Sequence, residues 1–225
     1  MGLNRTTYFG NSSLGMFLKA NDDISFLPQD SLDKLLVAAE QYLKTKTVRF
    51  SVGESNLLGL YTAINSNGII LPNITEEKEL AILKSELRDS MNIYISKDNH
   101  NAHGNNMSVN DNGGIINPNV GSEERKKMEE ALDIELIPMS IAGYTTLGSC
   151  CITTKEGFFA HYETSDEEME KIEEILKVKG KKGTVSNGSG FVAYGVVANK
   201  NGYLAGENTT AFELGRMEEA LGLIK

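Results

Sequence analysis

The chain has 225 residues and a formal net charge of −9 at pH 7, with 40% hydrophobic and 24% charged residues, the composition of a globular chain long enough to bury a sizeable core. It contains no run of 18 apolar residues, so no membrane-spanning helix is expected, and the opening MGLNRTTYFG lacks the apolar stretch of a secretory leader, which points to the cytoplasm. Its basic clusters are small, so the acidic balance argues against a main grip on nucleic-acid phosphates and favours a basic protein partner.

In chain order, a β-branched and aromatic strand over residues 5–9 comes first and belongs to no later pattern. A short phrase then recurs around Gly15, Gly59, Gly104, Gly148 and Gly195, at intervals of 44, 45, 44 and 47 residues. Its forms are SSLGMFLKANDD, SNLLGLYTAINSNG, NAHGNNMSVNDNG, YTTLGSCCITTKEG and FVAYGVVANKNG.

The second copy is the clearest. Residues 57–64 are expected to form a buried strand, Asn67-Gly68 a hairpin turn with positive φ, and residues 68–71 a returning strand ended by Pro72. Thr75 is expected to cap a helix that places Leu80, Leu83 and Leu87 on one face, and 92–95 forms a third strand. The other copies follow the same order. Helices are expected over about 31–43, from Ser122, from the capping box Ser165–Glu168, and over about 210–221. Third strands fall at 47–52, at 134–137 and somewhere in 178–186. The repeats are thus strand, strand, helix, strand, over about 11–52, 54–97, 100–139, 144–186 and 189–225.

A period in this range means supersecondary units that each need neighbours to complete a core, which argues for one domain over 1–225. The fifth unit reaches Lys225 without a third strand, while the strand at 5–9 has no unit. Giving that strand to the last unit closes the ring and removes open edges. The expected fold is a closed, five-fold pseudosymmetric α/β propeller, the pentein architecture.

The residues that could carry chemistry do not assemble into a site. Cys150 and Cys151 are adjacent, poorly placed for one metal or one disulfide, and are expected to be buried thiols. A guanidino-group hydrolase, as other penteins are, would need a Cys in the last unit with His and acidic partners; here both thiols lie in unit four, with His161 ten residues on. His100 and His103 lie in an Asn-rich loop without an evident third ligand and are expected to be solvated, so no metal and no cofactor is expected. What remains is polar decoration beside the repeat glycines: Asn11 to Ser13, Ser55-Asn56, Asn101, Asn105-Asn106, Thr145-Thr146, Ser149, and Asn187 to Ser189. In a ring these segments converge around one axis, either to satisfy one another or to form an uncharged docking face.

At NLLGLYTAINSNGIILPN, HGNNMSVNDNGGIINP, TLGSCCITTKEG, GTVSNGSGFVAYGVVANKNG and GENTTAFELGRMEEALGLI the chain resembles the translation initiation factor 6 family, over essentially its whole length. It is expected to stop where archaeal members stop, without the eukaryotic tail. The resemblance implies a non-enzymatic, monomeric ribosome anti-association factor. Such a factor binds the joining face of the large ribosomal subunit through a basic ribosomal protein near the sarcin–ricin loop, keeps the small subunit away, and serves large-subunit biogenesis. It also implies a contact face bearing the residues just after each repeat glycine: Leu60, Asn105, Ser149, Cys150 and Val196, with Asn106 as a neighbour. Leu60 stands where relatives carry a basic residue, so no ion pair is expected there. The competing class is a pentein hydrolase acting on a guanidino compound through Cys and His.

Overall fold

The computed structural model describes residues 4–87 and 91–224, and within them the chain builds five three-stranded sheets. The first four join β2 (Lys19–Ala20), β3 (Ile24–Pro28) and β4 (Lys46–Phe50); β5 (Ala63–Ile64), β6 (Gly68–Pro72) and β7 (Asn92–Ser96); β8 (Met107–Val109), β9 (Gly114–Ile116) and β10 (Leu136–Pro138); and β11 (Cys151–Thr153), β12 (Phe158–His161) and β13 (Gly180–Gly183). The fifth joins β14 (Val196–Asn199) and β15 (Gly202–Gly206) to β1 (Arg5–Thr6). In every sheet the first strand runs antiparallel and the third parallel to the middle one. The expected closure therefore holds: Arg5 pairs with Ala205 and Thr6 with Gly206. The closing strand is shorter than 5–9, because residues 8–11 form a turn with Phe9 at φ 47°.

Between the middle and third strands run the long helices α2 (Asp33–Leu43), α4 (Glu77–Glu86), α6 (Ser122–Leu132), α8 (Asp166–Leu176) and α10 (Ala211–Ala220). Capping boxes open two of them as expected or nearly so, Ser165 with Glu168 and Thr210 with Glu213. Thr75 does not cap α4; its hydroxyl donates to the Pro72 carbonyl, and Glu76 takes the N-cap place. Each long helix lies against the sheet of the preceding unit, so the apolar cores sit between units. One joins Phe26, Phe50 and Val52 of the first unit to Leu58, Ile69 and Leu83 of the second, and another joins Ala63 and Ile70 to Met107, Met128 and Leu132. A single unit of this kind has no core to itself.

Two expectations change at the repeat phrase. What reads as one strand over 57–64 is a four-residue helix followed by a two-residue strand, and in every unit a four-residue helix precedes a short strand: α1 (Leu14–Phe17), α3 (Leu58–Tyr61), α5 (His103–Asn106), α7 (Leu147–Cys150) and α9 (Val192–Gly195). A short apolar run does not distinguish the two by periodicity. These helices pack side by side around the axis, α1 touching both α3 and α9. They approach so closely that a Cβ on Gly59 would fall on the Gly15 carbonyl, and one on Gly104 on the Gly59 carbonyl. A Cβ on Gly15 would fall on the carbonyl of Ala193, not of Gly195. The fifth copy of the ring position is therefore Ala193, and the period is an even 44, 45, 44 and 45 residues across Gly15, Gly59, Gly104, Gly148 and Ala193.

The second change concerns the hairpin turns. Gly68 does not adopt positive φ; the turn is held by the Asn65 side chain, whose Oδ1 accepts from the Asn67 and Gly68 amides at 2.9 and 3.0 Å. Glycine is needed because a side chain there would strike the Ala131 carbonyl of the next unit's helix.

Candidate docking face

Along the axis each unit contributes a short helix, a strand and a turn. From Gly15 through Lys19 and Ala20 to Asn21 and Asp22 the chain passes from one end of an axial channel to the other. The turn end is sealed by its own residues. Asn21, Asn65, Asn110 and Asn199 each donate to the backbone carbonyl at the equivalent position of a neighbouring unit. Three of them also cap a neighbouring long helix: Asn65 donates to Leu132, Asn110 to Leu176 and Asn199 to Leu43, at 2.8, 3.0 and 2.9 Å. Thr154 fills the fifth place and reaches the Leu221 carbonyl at 3.3 Å. Outside this ring Lys155 bridges Asp111 and Asp22 at 2.7 and 3.3 Å.

The opposite end carries the loops that enter the short helices, and a glutamate at the third position of a long helix fastens four of the five. Glu79 accepts from the Gly53 and Glu54 amides at 2.8 and 2.9 Å and from the Ser51 hydroxyl. Glu124 accepts from the Lys97 amide, Ser96 and Tyr94; Glu168 from the Ala142 amide; Glu213 from the Asn187 and Gly188 amides and Thr184. Burial opposes ionisation of Glu79 and Glu213, yet these hydrogen bonds hold both carboxyls below the usual range. Glu124, also opposed by burial and helped by Lys127 and the Lys97 amide, is brought down to about 2. The sequence carries these residues at intervals of 45, 44 and 45, a signal hidden by the ordinary habit of acidic first turns. The first unit has Leu35 at that position, and its loop is tied instead by Tyr8 donating to Asp30.

The residues assigned to a contact face by resemblance occupy different places. Leu60 and Asn105 are the third residues of α3 and α5 and half-exposed. Ser149, third in α7, is 1% exposed and donates to the Thr146 carbonyl. Asn106 is buried and locks its loop, donating to the His100 carbonyl and accepting from the Asn117 side chain, while Cys150 lies in the core. Val196 is a correction. It is 2% exposed in β14, and the residue equivalent to Leu60, Asn105 and Ser149 is Tyr194. What the face does show is an aromatic group that was not anticipated: Tyr144, 37% exposed, with Phe191 and His161 at ring-centre distances of 5.2 and 5.4 Å, Tyr162 stacked on His161, and Tyr194 beside Phe191.

Burial pushes the Cys151 thiol up to about 12 and raises Cys150 as well, the reverse of a nucleophile. His161 accepts the Glu163 amide at Nδ1 and sits among aromatic rings. His103 was expected in solvent but is fully buried, while His100 bonds Asp98 at the surface; no group of metal-binding residues exists among the described residues. No described helix is long and apolar enough to cross a membrane.

Five three-stranded sheets in pseudosymmetric repeats, the last completed by the N-terminal strand, define a five-fold α/β protein of the pentein class. The family model described as "eIF-6 family" matches residues 3–220, and the chain belongs to that family. Among its relatives are the proteins named translation initiation factor 6 of Thermoplasma acidophilum, 34% identical over 97% of this chain and 99% of that one, and of Pyrobaculum aerophilum, 33% identical over 95% and 96%. That of Saccharolobus islandicus is 33% identical over 99% and 100%.

Proposed function

We propose that this protein is a cytoplasmic, non-catalytic factor of translation initiation that binds the large ribosomal subunit on its joining face and holds off the small subunit by its bulk. The observation that carries this is the contrast within the loop face. Its backbone is held by glutamates of the long helices, while the side chains of Tyr144, Thr145, Asn105 and Asn187 make no hydrogen bond among the described residues. A rigid surface with unengaged polar and aromatic groups loses little entropy when a partner covers it. The contact set we assign is Leu60, Asn105, Tyr144, Thr145 and Tyr194, with Ser149, Cys150 and Asn106 shaping the surface from below. A net charge of −9 suits a basic ribosomal protein as the first contact. By the same reading the protein acts as a monomer and takes part in large-subunit maturation.

Purified large subunits should carry the protein through a sucrose cushion at low salt, small subunits should not, and subunit mixing in its presence should lose its light-scattering rise. Failure to pellet with large subunits would overturn the proposal.

A further inference from the structure

Within each sheet the first strand lines the axial channel and the order runs first, middle, third, so the third strands lie outermost. Each is an edge whose outward N–H and C=O groups join no ladder, and natural edges are blunted by charge, proline or shortness. Four of the five follow that rule. β4 carries Lys46 and Arg49, β13 carries Lys181 and Lys182, β10 ends in Pro138, and β1 has two residues, one of them Arg5. In β10 the outward positions are Leu136, whose amide donates to Glu129 at 3.0 Å, and Pro138, which has no N–H. Glu173, at the same place in α8, accepts from the Gly180 amide at the outer edge of β13.

β7 departs from all four. It reads Asn-Ile-Tyr-Ile-Ser, without charge or proline. The Asn92 amide donates to the Asn67 carbonyl, so the even-numbered residues turn their backbone bonds towards β6, and Ile93 and Ile95 turn theirs outward. Those outward N–H and C=O groups bond to no described residue. The eighth residue of α4, where α6 and α8 carry Glu129 and Glu173, is Lys84, which has no acceptor to offer an amide. The strand runs from the turn end, where the Asn92 side chain donates to the Ala131 carbonyl, to the loop end, where the Lys97 amide donates to Glu124. The open edge therefore meets the docking face at Lys97.

A strand added at this edge alternates its side chains between two flanks. One flank carries Ile95 and Ile93, the latter packed against the core of units one and two. The other carries Tyr94, packed with unit three; burial, its bond to Glu124 and the charges of Glu124 and Glu130 push its hydroxyl up. Apolar residues suit the first flank, and Lys or Arg the second. A second copy does not fit, because pairing β7 with its own twin would set one Glu130 flank against another in two chains of net charge −9.

We propose that the outer edge of β7 is a β-addition site for an extended segment of alternating apolar and basic residues, contributed by the protein that covers the loop face; it rests on the docking reading above. Purified large subunits are the probe, with hydrogen exchange read by mass spectrometry. In the free protein the Ile93 and Ile95 amides should exchange fast and that of Tyr94 slowly; on large subunits the outer pair should slow by more than about tenfold. Ile95→Pro deletes an outward N–H and leaves the inner ladder, so it should fold and bind about tenfold more weakly in co-sedimentation. Ile95→Lys, which keeps the amide and sets a like charge against the segment, should weaken binding too, whereas Ile95→Val should not. Outer amides that stay fast in a pelleted complex, or full affinity in both Ile95→Pro and Ile95→Lys, would overturn the edge and leave the docking face standing. Protection that rises with protein concentration in the absence of subunits would give the edge to a second copy instead. A wild type that fails to pellet would overturn both readings.

Discussion

The two ends of the axis are built from the same five units and treat their polar groups in opposite ways. At the turn end, Asn65 uses its amide on Asn110 and Leu132 and its oxygen on two amides of its own turn, and Asn110 and Asn199 do likewise. At the loop end, the backbone is satisfied by glutamates from behind, while outward groups such as the Asn105 carboxamide and the Tyr144 hydroxyl make no hydrogen bond among the described residues. The first end holds the ring together, and the second is the one that would present it to a partner under the proposed function. A substitution should therefore reveal which end it sits on by whether it changes stability or binding.

The ring joint between the ends should give the largest effect. A side chain at residue 104 would strike the Gly59 and Thr62 carbonyls, and backbone cannot withdraw without opening the neighbouring short helix. Gly104→Val should cost more than about 4 kcal/mol, enough to abolish the cooperative transition in a denaturant titration followed by circular dichroism. Gly215, inside α10 with open space around it, is the control: Gly215→Ala should stabilise by about 0.5–1 kcal/mol. A similar loss at both positions would mean that close approach is not what the ring glycines serve.

At the turn end, Asn110→Ala removes one of the hydrogen bonds to each of the Thr154 and Leu176 carbonyls and the side-chain acceptor of the Asn112 and Gly113 amides, in a largely buried setting. The expected cost is about 3 kcal/mol, read from the urea midpoint, with ribosome binding of the folded fraction unchanged.

How much of this could be read in the sequence depends on whether the signal was local. The period and the ring were legible because each unit repeats its own turn and helix, and the orphan strand at the N-terminus gave closure. Gly195 misled because the run GVVANKNG imitates LGLYTAINSNG; only the packing of Gly15 on Ala193 restores the register. Asn-Gly pairs read as positive-φ turns, whereas the glycine there serves a contact with a helix of another unit, which no local pattern reports. The aromatic group was illegible because Tyr144, Tyr162, Phe191 and Tyr194 come from separate segments that meet only when units four and five are side by side.

His103 tests the comparison from inside. It begins α5 where the other short helices begin with Leu14, Leu58, Leu147 and Val192, and both its ring nitrogens are buried without a hydrogen-bond partner among the described residues. Burial lowers it from 6.5 to about 4, so the fold holds the neutral form while the unfolded chain takes up a proton first. Stability is complete above pH 6.5 and should fall by roughly 1.4 kcal/mol per unit as pH drops towards 4. His161, also lowered by burial, adds to the same limb; the bonded glutamates contribute only further down, below their ordinary 4.5. His103→Leu should stabilise by about 1–2 kcal/mol at pH 7 and flatten the limb between pH 6.5 and 4.5 without removing it. An unchanged pH profile would place the sensitivity elsewhere.

The smallest effect on folding, and the one that separates the two ends, belongs to Asn105. Its backbone closes the turn of α5 with Ala102, but its carboxamide bonds to nothing described and lies half-exposed on the loop face. Shortening it in Asn105→Ser leaves the backbone bond, the buried Asn106 network and the glutamate at 124 in place, so the urea midpoint should move by no more than about 0.5 kcal/mol. If the face docks as proposed, the same change removes a polar contact from a covered surface, and affinity for large subunits should drop about tenfold, some 1.4 kcal/mol, in co-sedimentation at fixed salt. Tyr144→Ala should do at least as much, through loss of a preordered aromatic contact. Lost stability with intact binding would exchange the roles of the two ends. Unchanged stability and unchanged binding in both variants would move the contact off this face, although the ring that carries it would stand.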